Sequence, residues 1–208
     1  LDALGICGAP EGIPVVRDAI NDPDPDVKYA AVLSLFELAG VDALDDVLLI
    51  LDAHTGATLA QILRAFFHAT NYLKIDIIQD NPDRLLNVLD HAFKDTNPVT
   101  RMMAVYPLAW TRHEKATSRL MHAYNTETDS TVKAHIVRVS ANLMSEVGEE
   151  MLEDAKQSTD AMVRETALHV IADRERAGVI ATYDTDAHQG VPMNRDLLLG
   201  KYDINKPI

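Results

Sequence analysis

His113 and Glu114 stand side by side, and a histidine next to a carboxylate is the smallest unit that could hold a metal or move a proton. One imidazole and one carboxylate do not build a two-metal centre, so the pair reads as the exposed start of a helix. The other histidines are His54, His68, His91, His122, His135, His169 and His188. None falls in an H-x-x-x-H or H-E-x-x-H spacing, which would bring two imidazoles onto one helical face. His135 takes the place of a small helix residue and is expected to be partly buried and hydrogen-bonded. The string Asp184-Thr185-Asp186-Ala187-His188 alternates ligand-type side chains, which an extended chain would present on one side. Polar tails often look like this, and no metal is assigned to it. Cys7 is the only cysteine; it excludes an intramolecular disulfide and reads as a small core residue at a helix end. The sequence therefore offers no catalytic residue, no metal ligand set and no cofactor.

The elements around these residues carry more information. The chain has 208 residues, with 32 acidic against 19 basic side chains and a formal charge of −13. That balance repels phosphate backbones and anionic membranes. Hydrophobic residues make up 47% of the chain and aromatics only 5%, so the core is expected to be closely packed helices of Ala, Leu, Val, Ile and Met. No apolar run is long enough to span a bilayer. With one cysteine and no such span, a cytoplasmic location is the expectation.

A phrase recurs along the chain. DPDPDVKYAAVLSLFELAG, from Asp22, is echoed by DTNPVTRMMAVYPLAW from Asp95, and more weakly from Thr128, Ser158 and Thr55. Alignment puts Val27, Leu59, Thr100, Val132 and Val163 in one column, spaced by 32, 41, 32 and 31 residues. A period in this range signals helical hairpins repeated along the chain. Asp24-Pro25, Asn81-Pro82 and Asn97-Pro98 are each a cap followed by a residue that needs no amide hydrogen, which marks a helix start. Gly40 can stop a helix.

The expected first helices of the hairpins (A) cover about 10–21, 41–53, 82–94, 112–125 and 147–157. The second helices (B) cover about 25–39, 56–73, 98–110, 129–145 and 160–176. An insert at 71–81 lengthens the second hairpin, and Pro107 should kink the third helix B. Leu4 and Gly8 align with Phe36 and Gly40, so the chain is expected to begin inside a helix B, as a piece of a longer array or as a covered end. From about residue 178 the helical pattern stops and an extended tail is expected. The domain reading is residues 1–177 as a helical repeat array and 178–208 as the tail.

Over roughly residues 1–177 these phrases resemble HEAT repeats, especially the short bacterial HEAT-like type of phycobilin lyase subunits. The resemblance implies an all-α fold: a right-handed α-α solenoid of about five HEAT-like hairpins. In that family an Asp in the turn lies six residues before an Arg or Lys on helix B. Asp22 with Lys28 and Asp95 with Arg101 match it, and Glu127 with Lys133 preserves the charges. Ser158 with Arg164 keeps the base, and His54 with Ala60 keeps neither. Pro14 matches the family's helix-A proline, in this repeat alone. These pairs are expected to secure turns, the acid taking amide hydrogens and a cation from the next helix. HEAT-like iron hydroxylases need several His-Glu pairs, where this chain has one. HEAT-like DNA glycosylases need a basic groove, which a charge of −13 argues against.

In HEAT arrays helix B lines the concave face. The resemblance therefore implies a partner-binding stripe of Tyr29, Phe36, His68, Met102, Tyr106 and Trp110, continued by Arg138 and His169. Tyr, Trp and Met are common interface anchors. The expected function is a non-enzymatic scaffold that binds a protein or peptide on this face. The alternatives are an accessory subunit of a bilin lyase or similar cofactor-loading enzyme, and an assembly module of a larger chain. Self-association through the N-terminal repeat or the tail is a further expectation.

Overall fold

The computed structural model describes residues 8, 10–74, 82–111, 113–141 and 145–176. The expected tail, the string from Asp184 to His188, Leu4, Cys7 and most of the insert at 71–81 lie outside the described residues. Among the described residues every regular element is a helix, and none is long and apolar enough to cross a membrane.

The helices begin and end where the local chemistry requires. A short 3-10 turn at Pro10–Gly12 leads into α1, Ile13–Ala19. Pro14 lies in the first turn of α1, where its missing amide hydrogen costs nothing. Helix α2, Pro25–Ala39, starts with the Asp24 side chain accepting from the Asp26 amide at 2.9 Å. It stops at Gly40, which takes φ of +58°, a conformation that suits glycine. A 3-10 turn at Gly40–Ala43 precedes α3, Leu44–Ala53, and α4 spans Gly56–Leu73. Next come α5, Pro82–Ala92, and α6, Pro98–Trp110, the latter capped by Asn97 on the Val99 amide. Pro107 is buried inside α6. Helices α7, Glu114–Thr126, α8, Ser130–Ala141, α9, Glu146–Lys156, and α10, Ala161–Arg176, complete the described chain.

The helices group into two compact units, Leu1–Arg119 and Leu120–Ile208. In the first unit α2 packs on α4 and α4 on α6, while α3 packs on α5. Each of α2, α4 and α6 also packs on the helix before it. Ala31, Val32, Leu35 and Phe36 of α2 face Leu59, Ile62, Leu63 and Phe66 of α4 in a core closed to water. Ion pairs tie the other helices together: Arg17 to Asp46 at 2.7 Å, Arg84 to Asp45, Lys115 to Asp83 at 2.7 Å and Arg119 to Asp90 at 2.9 Å. Each is solvent-facing and contributes about 0–1 kcal/mol.

In the second unit α8 packs on α9 and α10, and α9 on α10. The approach of α9 to α8 is close at Gly148, where a Cβ would lie 2.5 Å from the Ser140 carbonyl oxygen. Arg174 of α10 pairs with Glu149 of α9 at 2.7 Å and donates to the carbonyl at the end of α8, Ala141.

Four of the turns before the longer helices share two bonds. A side chain accepts from the amide two residues on: Asp22 from Asp24 at 2.8 Å, Asp95 from Asn97 at 2.7 Å, Glu127 from Asp129 at 2.8 Å and Ser158 from Asp160 at 3.2 Å. That second residue then caps its helix in the same way, through the Asp26, Val99, Thr131 and Met162 amides, each at 2.9 Å. Among the described residues no ion pair is seen between the acid and the basic residue six positions on. Lys28 is buried and donates to the Ile20 carbonyl at 3.0 Å. Arg101 donates to the carbonyls of Asp95 and Thr96 at 2.9 and 3.3 Å. Lys133 lies 4.5 Å from the centre of the Tyr124 ring, a cation–π contact. The expected acid–base pairs are thus corrected. The acid accepts backbone amides, and the basic residue binds backbone carbonyls or a ring.

Candidate functional site

The aligned column is the starting point, because it fixes which side of each helix faces in. Leu59, Thr100, Val132 and Val163 are fully buried and Val27 is half-buried. Thr100 can occupy a core position because its hydroxyl donates to the Gly56 carbonyl at 2.8 Å. The Gly56 amide in turn donates to Asp95 at 2.6 Å, which ties two successive turns of the first unit.

Turning outward from that column, α4 carries Phe66 and Phe67 in succession. Adjacent helical residues point about 100° apart, and the two rings separate accordingly. Phe66 is fully buried and meets Phe36 with ring centres 5.9 Å apart. Phe36 is itself only 1% exposed. It was expected on the binding stripe and is instead a core residue, held there by Phe66 of the neighbouring helix.

Phe67 lies at the half-buried edge of the core. The Tyr106 ring of α6 stacks on it with centres 4.9 Å apart and planes 29° apart. Trp110, one turn further along α6, meets Phe67 edge-on at 6.2 Å and 87°. Both are aromatic geometries of the favourable kind. Met102 continues the row one turn before Tyr106, and Met102, Tyr106 and Trp110 are all half-buried.

A second group joins α2 to α4. The Tyr29 hydroxyl and His68 Nδ1 lie 2.7 Å apart, with the rings edge-to-face at 6.2 Å. The Arg64 guanidinium lies 5.9 Å from the centre of the Tyr29 ring. Arg64, Phe67 and His68 are neighbours on one face of α4 at spacings of three and four residues. Burial, and then the charge of Arg64, lower the His68 pKa below its usual value. At neutral pH His68 is therefore an uncharged hydrogen-bonding ring.

The sequence reading missed Arg64 and Phe67. Ala65, between them, is fully buried. Arg64 is one helical turn before His68, so face arithmetic from His68 alone would have found it. Tyr72, 82% exposed at the end of α4, was also missed.

The remaining candidates are elsewhere. Arg138 is half-buried on α8 and His169 exposed on α10, both in the second unit. His135, expected to be partly buried, is 6% exposed, and burial first and Arg138 second lower its pKa to about 4. His113 accepts from the Lys115 amide at 3.2 Å and so opens α7, while Glu114 is exposed. His54 bonds the Ile50 carbonyl at 2.8 Å. Among the described residues no group of three or more His, Cys, Asp or Glu side chains is placed to hold a metal ion. What the first unit brings together is a set of rings and a guanidinium. No protein-family model matches the chain, and a search of curated proteins finds no match.

Proposed function

We propose that the chain is a HEAT-like helical solenoid that acts as a non-enzymatic scaffold and binds a segment of a partner protein on the face formed by α2, α4 and α6. The observation that carries this reading is the row of half-buried rings, Phe67 with Tyr106 and Trp110, beside Tyr29 and His68. Aromatic side chains that are only half covered by their own fold leave apolar area for a partner to cover. The recurrent turn bonds support the repeat reading, since four turns along the chain make the same two bonds.

The test is the double variant Tyr106→Ala, Trp110→Ala. It should keep its melting temperature within a few degrees and lose proteins that the wild type captures from cell extract. Those proteins should cross-link to α4 or α6. Each truncation is expected to weaken binding by about 1 kcal/mol or more. Unfolding of the variant would assign the rings to the core. Undiminished capture by a folded variant would move the site elsewhere.

A further inference from the structure

Leu168 is exposed where its counterparts in the other repeats are not. Five residues after Val27, Thr100, Val132 and Val163 stand Val32, Val105, Val137 and Leu168. The three valines are fully buried, whereas Leu168 is 50% exposed. The next turn repeats the contrast. Leu35, Leu108 and Ser140 are at most 1% exposed, while Ile171 is only half-buried. Ala172 is half-buried too, where Phe36, Ala109 and Ala141 are core. Leu168, Ile171 and Ala172 lie three and four residues apart and so share one face of α10. Glu165 and Glu175 extend that face, and both are exposed. Among the described residues α10 forms its ion pairs through Arg174 and Arg176, with Glu149 and Asp173, and neither Glu165 nor Glu175 is in one. The helix thus has the apolar pattern of a covered helix on a face that the described residues leave open, where the end of a repeat array ordinarily turns a polar face outward.

We propose that residues 177–208 of the same chain fold back over this face of α10. The segment follows α10 directly and belongs to the same unit. The return from Arg176 to Leu168 is about 12 Å along the helix, which about four residues of extended chain can span. The segment is long enough to bring Leu197, Leu198 and Leu199 there, as well as Val179 and Ile180. Its charge suits the place. It has four acids against three bases, so it is nearly neutral in a chain of net charge −13. Two of those bases, Lys201 and Lys206, follow the leucines, and Arg195 precedes them; they complement the carboxylates of Glu165 and Glu175. A tethered segment also meets its face at an effective concentration on the order of millimolar, above that of a separate copy at micromolar chain. The proposal is independent of the scaffold reading, whose face lies in the first unit.

The experiment uses the full chain and hydrogen exchange read by mass spectrometry. Amides of residues 195–204 should be protected in the wild type. Leu168→Asp should speed their exchange about tenfold and leave α8 unchanged, and Glu165→Lys should speed it about threefold. Leu198→Asp, in the segment itself, should act like Leu168→Asp and keeps the test decisive if that variant does not fold. A benzophenone attached at Leu168→Cys in a Cys7→Ser chain should cross-link to residues 179–208. In a mixture of ordinary and isotope-labelled chains, those cross-links should stay within one molecule.

Cross-links between labelled and unlabelled chains would assign the face to a second copy and overturn the proposal. So would unprotected amides throughout residues 177–208, or protection there that neither aspartate variant changes.

Discussion

At the turn before α6, Asp95 accepts the Asn97 amide, and Arg101 reaches back to the carbonyls of Asp95 and Thr96. At the turn before α10, Ser158 accepts the Asp160 amide, and Arg164 reaches back to the carbonyls of Ser158 and Thr159 at 2.7 and 3.4 Å. One turn opens on an acid and the other on a hydroxyl, yet both accept the amide two residues on and both are followed by an Arg that reaches back to the same two carbonyl positions. The guanidinium is therefore held by backbone carbonyls, and the first residue needs only an oxygen able to accept one amide hydrogen. The helices that follow diverge. α6 presents Met102, Tyr106 and Trp110 half-buried, whereas α10 presents Met162, Leu168 and His169 to solvent beside Glu165, Asp173 and Glu175. Turn chemistry is common to the two units, and what the longer helices expose is not.

The two units also hold a histidine differently, and the largest expected effect lies there. His68 sits half-buried against Tyr29, whereas His135 is enclosed and its pKa lowered to about 4 from an ordinary 6.5. The unfolded chain binds a proton at this residue more readily than the folded one. Stability from His135 is thus constant above about pH 6.5, falls as the pH drops towards 4, and levels off below that. The loss should reach about 3 kcal/mol. Denaturant melts at pH 7 and pH 4.5 should show this slope in the wild type and lose most of it in His135→Leu. An unchanged slope would place His135 in an environment like that of His68.

The next effect separates the two turns. Asp95 has a second task that Ser158 lacks: its other oxygen accepts the Gly56 amide of the preceding turn at 2.6 Å. In the second unit the corresponding link is made by Ser130 and Asp160 instead. Asp95→Ser should keep its own turn and lose the link, leaving a half-buried amide without its acceptor at a cost of about 1–3 kcal/mol. Ser158→Asp should be close to neutral. Equal and small effects in denaturant midpoint would show that the link to Gly56 contributes nothing.

The helix boundaries were legible because short-range rules set them. The starts of α2 and α6 fall where Asp24-Pro25 and Asn97-Pro98 put them, and α2 stops at Gly40. The partner of each turn cation was not legible. Spacing brings Arg101 near the turn but does not say whether a carboxylate or a carbonyl is left to receive it. Phe36 was misplaced for a related reason: its burial depends on Phe66 of the next helix, which no periodicity within α2 reveals. Arg64 and Phe67 were missed because the 41-residue spacing before Thr100 blurs the register of α4.

The smallest effect tests the shared feature itself. Arg101→Ala and Arg164→Ala each remove donors to two turn carbonyls. Both side chains are half-buried, so water can replace part of what is lost. The expected cost is about 1 kcal/mol for either, the usual net value of such hydrogen bonds. If an acid six residues before the cation mattered, Arg101→Ala would cost clearly more than Arg164→Ala, since Asp95 holds that place in one turn and Ser158 in the other. If the carbonyls are what matter, the two should agree within about 0.5 kcal/mol, the scatter of additive surface sites. Lysine at either position should recover only part of the loss, because one ammonium on a flexible stem bridges two carbonyls less well than a planar fork. Paired denaturant melts of the four variants decide between these outcomes. They also fix whether the six-residue spacing of acid and base encodes an ion pair or a backbone clamp.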